Sequence, residues 1–246
     1  MKIYDTLLLG SGYYSVGYAE ARGNSLIVEE GQVVDTSFYL PMRGFSAEWI
    51  QPTTAGGERL YACIKNMGLI DQRGLCVNGL ESALARHCLD IGAPLRLKCR
   101  AVRRRTEGEL TAVTLQSNEG LCEVYAREVV DTRPHGAVWY QNFLVTADSY
   151  QEIVAPIRTA FPGAEIDFAF YRGRCVITIP AAGYDENSIK RMIHARFPRV
   201  EGLKLLYIAP AFMAGRGGCI GQPGDAGCYG PVEAYDAGYR AGEVAK

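Results

Sequence analysis

The stretch DTLLLGSGYYSVGYAEARGNSLIVEE, residues 5–30, constrains this chain more than any other. Leu7 to Leu9 is a short apolar run that reads as a strand and ends in Gly-Ser-Gly. A helix is predicted from about Tyr14 to Arg22, where Gly23-Asn24 can end it. Leu26 to Val28 reads as a second strand, closed by Glu29 and Glu30. Two strands joined by a helix form a βαβ unit, and such a crossover makes them parallel. The fold class expected is therefore α/β, with a Rossmann-like parallel central sheet.

The same residues carry a chemistry. Gly10 allows a tight turn, and Gly12 lets a pyrophosphate approach the backbone. The helix start then offers N–H groups and a partial positive charge to phosphates. Ser15 stands at the third small position and Gly17 follows two residues later, so either permits close helix–strand packing. Tyr13 and Tyr14 stand where such loops carry small residues; they either crowd the loop or turn outward over a ligand. A carboxylate from Glu29 or Glu30 would accept both hydroxyls of an adenosine ribose and repel a phosphorylated one. FAD or NAD fits that acid better than NADP.

The rest of the chain alternates in style. Residues 31–60 are irregular, and helical patterns follow near 58–66 and 78–91, the second placing Leu80, Leu84, Cys88 and Ile91 on one face. Segments 95–105, 110–117 and 122–126 alternate as an antiparallel β-meander, and Glu128 to Asp131 reads as a further central strand. Residues 139–200 look like a small α+β insert, with helices near 150–160 and 186–195 around a strand pair near 166–179. Leu203 to Ala209 is expected to return as a strand, followed by a Gly-rich loop and a last helix over 231–244. The expected organisation is one Rossmann-like domain from 1–138 and 201–246, interrupted by a cap at 139–200.

Composition excludes some classes. The 246 residues carry a formal net charge of −1, which points to neither nucleic acid nor an anionic membrane. The basic run RLKCRAVRRR, residues 96–105, reads as a strand with a solvated edge. No secretory signal precedes Tyr4 and no apolar run approaches ~20 residues, so a cytoplasmic protein is expected. The eight cysteines form no C-x-x-C pair, no metal site is expected, and most are read as buried small residues. Cys219 and Cys228 differ, because they lie in the Gly-rich loop. Neither G-x-S-x-G nor H-E-x-x-H occurs.

Four blocks give a family likeness: LLLGSGYYSVGYA through VEEG, NGLESALARHCLDIGAPLRLKCRAVRRR, YAREVVDTRPHG, and LLYIA with GQPGDAGCYGPVEAYDAGYRAG. The chain resembles the FAD-dependent oxidoreductases of the glutathione-reductase-like superfamily, nearest the fumarate-reductase-like branch. The resemblance implies that the backbone near Ala101 holds the adenine edge. It implies that the Asp131-Thr132 turn lies beside the cofactor, although Arg133 stands where the family has glycine. It implies that Gly224-Asp225 meets the ribitol, and that the helix start from Gly230 through Val232 to Glu233 points at the flavin. Thr36 and Ser37 correspond to a loop near the pyrophosphate.

The likeness also sets the expected function: hydride transfer between flavin and an organic small molecule. No catalytic residue is assigned; His135, Arg216, Cys219 and Cys228 are the side chains weighed. No second glycine fingerprint for a pyridine nucleotide occurs, and 139–200 is small for a substrate domain. A homo-oligomer or a partner subunit covering the flavin is therefore expected, with the contact at the cap or the 211–230 loop. Two other readings stay open. One is a catalytically silent nucleotide-binding subunit of a hetero-complex. The other is a thiazole-synthase-like enzyme holding an NAD-derived adenylate.

Overall fold

The computed structural model describes residues 2–31, 50–71, 74–76, 79–133, 138–147, 150–168, 174–209, 212–214 and 230–245. In chain order the elements are β1 (Ile3–Leu9), α1 (Tyr13–Arg22), β2 (Ser25–Val28), α2 (Ala55–Asn66), β3 (Ile70–Asp71), β4 (Gly74–Leu75), α3 (Leu80–Asp90), β5 (Leu95–Arg96), β6 (Arg100–Glu107), β7 (Leu110–Ser117), β8 (Gly120–Asp131), β9 (Val138–Thr146), α4 (Tyr150–Ala160), β10 (Glu165–Phe168), β11 (Arg174–Pro180), α5 (Glu186–Arg196), β12 (Lys204–Ile208), β13 (Phe212–Ala214) and α6 (Pro231–Val244). The α/β class expected from the opening stretch is the one observed.

The central sheet runs β5-β2-β1-β8-β7-β6. β5, β2, β1 and β8 are parallel, whereas β8, β7 and β6 form the antiparallel meander. Two segments read separately in the sequence, Cys122 to Ala126 and Glu128 to Asp131, are one 12-residue strand. Its first part pairs antiparallel with β7 (Thr111 with Ala126), and its second pairs parallel with β1 (Leu9 with Asp131). The ladder to β7 ends where the ladder to β1 takes over, which is why the hydrophobic pattern changes in mid-strand.

Alternation along β1 and β2 divides the core between two faces. Leu8 and Ile27 point to the helices, joining Val16, Leu60, Ile64, Leu84 and Tyr235. Leu7, Leu9, Leu26 and Val28 point the other way, against Val113, Leu115 and Val124 of the meander. Each such fully buried aliphatic side chain contributes about 1.5–3 kcal/mol. The parallel strands are thus covered on both faces, as all-apolar runs such as LLL and LIV require.

The second sheet is antiparallel, ordered β10-β11-β9-β12, with β13 also pairing with β9. Phe143, Val145, Cys175 and Ile177 face α4 and α5 through Ile153, Ile157, Ile189 and Ile193. This corrects one expectation. The strand at 203–209 does not rejoin the central sheet; Lys204 pairs with Thr146 and Ile208 with Phe143. The physical reason is local: β9 has an unpaired edge directly beside it, and a short apolar strand satisfies its backbone there. The small α+β unit therefore carries strands out to Ala214.

A candidate dinucleotide site at the ends of β1, β2 and β8

The strands β1, β2 and β8 end together, and the site is built on their carboxyl ends. Gly10 takes a left-handed conformation (φ 109°), which a residue with a Cβ rarely adopts. Such a Cβ would also lie 2.8 Å from Thr132 Oγ1. Its N–H donates to Val28 O (2.8 Å), tying the turn to β2. Gly12 then becomes extended (φ −64°, ψ 166°) and caps α1 without a side-chain cap. No acid stands in the first turn of α1 itself.

Thr132 locks the far side of the turn. Its N–H and its hydroxyl both donate to Leu9 O at 2.9 Å. A threonine hydroxyl has one proton, so the 2.6 Å contact to Ser15 has Ser15 as donor. Ser15 and Thr132 are both buried, and together they hold the helix start, the β1 end and the β8 end at fixed spacing. The small residue at position 15 serves this contact.

Glu29 folds back over the glycine turn. Its Oε2 accepts from Ser11 N–H (2.9 Å) and Ser11 Oγ (2.8 Å), and Oε1 accepts from Gly31 N–H (2.7 Å). Glu30 points elsewhere and pairs with Arg133 Nη1 at 2.7 Å. The two acids, interchangeable in the sequence, are therefore separated: Glu29 sits on the side of the glycine turn and Glu30 on the β8 side. Arg133 also forms a bidentate pair with Asp131 (Nε–Oδ1 2.9 Å, Nη2–Oδ2 2.6 Å). These bonds to Asp131, with the Glu30 charge, push the guanidinium still further above its ordinary pKa, so it stays a cation.

Ala101 lies half-buried in β6 opposite Leu115. Lys98 N–H donates to Gly31 O (2.8 Å) and Cys99 N–H to Glu29 O (2.9 Å), which brings the approach to β6 beside the Glu29–Gly31 corner. A hollow of about 240 Å³ opens there, lined by Glu30, Lys98, Cys99, Arg100, Gln116 and Ser117, among others. Sequence reasoning found the glycines and the acids but missed Ser11, whose hydroxyl latches Glu29. A serine between two glycines was the available signal.

The last helix completes the arrangement. α6 begins at extended Gly230, carries Pro at its first turn and has no side-chain cap. Val232 is buried and Glu233 is half-buried. Gly238 rests on Tyr14 O, and Gly242 on Tyr18 O. Contacts that advance together along both helices make them parallel. Gly238 is seven residues into α6 and Tyr14 one into α1, so the α6 start projects past the α1 start by roughly 9 Å at 1.5 Å per residue. Two uncapped helix N-termini thus face the same end of the molecule in sequence.

Tyr13 and Tyr14 neither block the loop nor stand over it as a pair. Tyr13 is fully buried and its hydroxyl donates to Leu80 O (2.8 Å). The Tyr14 ring packs beside Tyr18 at 6.5 Å. Thr36, Ser37, His135, Arg216, Cys219, Gly224, Asp225 and Cys228 lie outside the described residues. The described cysteines are free thiols. Burial pushes the Cys88 thiol up to about 12, so it packs as a protonated, inert side chain. Among the described residues no group of side chains could hold a metal ion, and no helix is long and apolar enough to cross a membrane. In the basic stretch at 96–105 two arginines are ion-paired at the surface, Arg104 near Asp131 and Arg105 with Glu107 and Glu123.

No protein-family model matches the chain, and no curated protein matches its sequence. Its fold does match solved structures. A geranylgeranyl bacteriochlorophyll reductase-like protein from Thermoplasma acidophilum is similar with a TM-score of 0.60 at 13% identity, over 100% of this chain and 78% of that one. A flavoprotein/dehydrogenase from Cytophaga hutchinsonii is similar with a TM-score of 0.55 at 12% identity, over 99% and 78%. The p-nitrophenol 4-monooxygenase of Pseudomonas putida gives a TM-score of 0.54 at 11% identity, over 87% and 68%. At these identities the likeness is one of fold, and the fold shared is the mixed α/β architecture with a Rossmann-like parallel sheet and a separate antiparallel sheet.

Proposed function

We propose that the chain is a FAD-binding oxidoreductase-like protein that moves hydride between flavin and an organic small molecule. The observation that carries this reading is the loop Gly10-Ser11-Gly12 with Glu29 folded over it, at the joint carboxyl ends of β1, β2 and β8. That is the point where an open α/β sheet takes a nucleotide. The residues present fit the cofactor: a turn with no room for a Cβ, a helix start without its own acid, and an acceptor carboxylate beside it. Bound flavin would supply the hydride chemistry. The chain's own residues hold and orient. Glu29 would accept a ribose hydroxyl, the α1 start would face the pyrophosphate, and the projecting α6 start, which carries Glu233 in its first turn, would offer backbone N–H groups further along. Asp225, Thr36 and Ser37 remain proposed contacts by family likeness alone.

The fold-level neighbours, by the names they carry, are a reductase-like protein, a flavoprotein/dehydrogenase and a monooxygenase, which supports oxidoreduction over hydrolysis as the class. A second reading, a silent nucleotide-binding subunit, is favoured by Arg133 lying ion-paired over Gly10. An oligomer is also proposed. Leu206 and Tyr207 stand about half-exposed on β12, an edge strand of the second sheet, and suit a second copy.

The test is the absorbance spectrum of the purified chain, with mass spectrometry of the released ligand and titration with FAD and FMN. Preferred FAD binding is expected, because FMN has no adenosine for Glu29 to hold. Equal affinity for the two flavins would sink the reading, and release of an NAD-type adenylate would favour a thiazole-synthase-like enzyme. Bound FAD that cycles with dithionite and air but oxidises no substrate without a partner would favour the subunit. Light scattering reports the oligomer.

A further inference from the structure

Arg133 lies over the Gly10 turn at the carboxyl ends of β1 and β8. Its backbone follows β8, its Cγ would stand 3.2 Å from a Cβ on Gly10 at the end of β1, and its Nη1 reaches Glu30 beyond β2. One side chain therefore spans the carboxyl ends of three neighbouring strands. Holding β8 to β1 does not require it, because the backbone ladder and Thr132 already do so.

Charge gives the reason. Glu29, Glu30 and Asp131 gather three carboxylates at these strand ends. Arg133 and, 3.5 Å from Asp131, Arg104 are guanidinium groups set against them. A dinucleotide diphosphate adds two negative charges, which the acidic rim alone would repel. A guanidinium has five N–H donors. Among the described residues, three of Arg133's go to Asp131 and Glu30, leaving one on Nη1 and one on Nη2. The Asp131 pair is bidentate and fixes the plane of the group. Glu30 makes a single bond and is half-exposed, so water can replace Arg133 at its carboxylate.

We propose that Arg133 is the diphosphate-binding residue of the nucleotide site: Asp131 holds its guanidinium over Gly10, and Nη1 passes from Glu30 to a phosphate oxygen when the ligand enters. The proposal rests on the nucleotide-site reading above. It makes the arginine that replaces the family glycine a binding group instead of an obstruction. The bidentate hold on Asp131 pre-orders the side chain, so little rotamer freedom is lost on binding.

The test is isothermal titration calorimetry of the full chain with ADP and with adenosine, on the wild type, Arg133→Ala and Arg133→Lys. Arg133→Ala is expected to weaken ADP by about tenfold or more, the scale of one charge-assisted hydrogen bond. Arg133→Lys should recover part of that loss, since it keeps the charge without the fork. Adenosine affinity should be unchanged in both. If Arg133→Ala does not fold by circular dichroism, the same split between ADP and adenosine in Arg133→Lys decides. Unchanged ADP affinity, or equal losses for ADP and adenosine, would overturn the proposal while leaving the nucleotide site standing. A wild-type chain that binds neither probe would overturn the site itself and the proposal with it.

Discussion

Gly17 lies so close to the backbone carbonyl of Tyr235 that a Cβ at position 17 would overlap it. With Gly238 on Tyr14 O and Gly242 on Tyr18 O, three glycines let α1 and α6 meet backbone to backbone. The register of these two helices sets where the α6 start stands relative to the phosphate loop. Gly17→Ala should push the helices apart and destabilise the fold by about 1–3 kcal/mol, as overpacked sites do. Denaturant unfolding measures that loss. FAD affinity should fall as well, because the α6 start moves with the helix.

Tyr13 belongs to the core, and this can be separated from any role in binding. Tyr13→Phe keeps the ring but leaves Leu80 O without its hydroxyl donor. The cost expected is about 0.5–1.5 kcal/mol of stability, the net worth of one buried hydrogen bond, because Leu80 O in the first turn of α3 keeps its helical bond from Leu84 N–H. FAD affinity at a temperature where the variant is folded should match the wild type. A selective loss of affinity without loss of stability would return Tyr13 to the cofactor site.

A polar cluster joins α1, α2, α3 and α6 behind the site. Glu20 bonds Arg59 Nε (2.6 Å) and the Tyr235 hydroxyl, and His87 Nε2 lies 2.8 Å from that same hydroxyl. Burial by itself would raise the Glu20 carboxyl, but bonds from His87, Tyr235 and Arg59 outweigh it and hold it at about 2, below its ordinary 4.5. A depressed folded-state pKa contributes stability above the unfolded value and loses it as pH falls through the folded one. The contribution should therefore be complete above about pH 4.5 and vanish towards pH 2, on the order of 2 kcal/mol. Unfolding midpoints measured across that range should fall for the wild type and stay flatter for Glu20→Gln.

What the sequence made legible was whatever depends on local spacing. The α6 bounds at Pro231 and Val244, the α1 stop at Gly23 and the glycine turn at Gly10 all follow from residues within one helical turn of each other. Pairings between distant segments were not legible. Leu203 to Ala209 has the composition of a central strand, and only the free edge of β9 decides where it goes. Glu29 and Glu30 are adjacent acids with identical chemistry; Ser11 and Arg133, far off in sequence, separate them. His87 stands within the helical stretch 78–91, and nothing in that spacing shows that it bonds Tyr235, 148 positions away. Such contacts leave no periodicity to read.

Glu29 gives the most direct test of cofactor orientation. Its carboxylate already accepts three hydrogen bonds, two from Ser11 and one from Gly31, yet two carboxylate oxygens offer about four lone-pair sites. Room remains for a ribose hydroxyl, and the bonds in place fix where it would be met. Ser11→Ala removes the Oγ donor and keeps the backbone one, so it should weaken FAD only slightly. Glu29→Ala removes the acceptor and the latch together. FAD affinity should then fall by about ten- to a hundredfold, the worth of one hydrogen bond to a charged group. FMN affinity should stay where it was, because its single phosphate and ring never reach Glu29. Fluorescence titration of both flavins against the three proteins reads this directly. A parallel loss for FMN would mean that Glu29 acts only by holding the loop, and that the adenosine lies elsewhere.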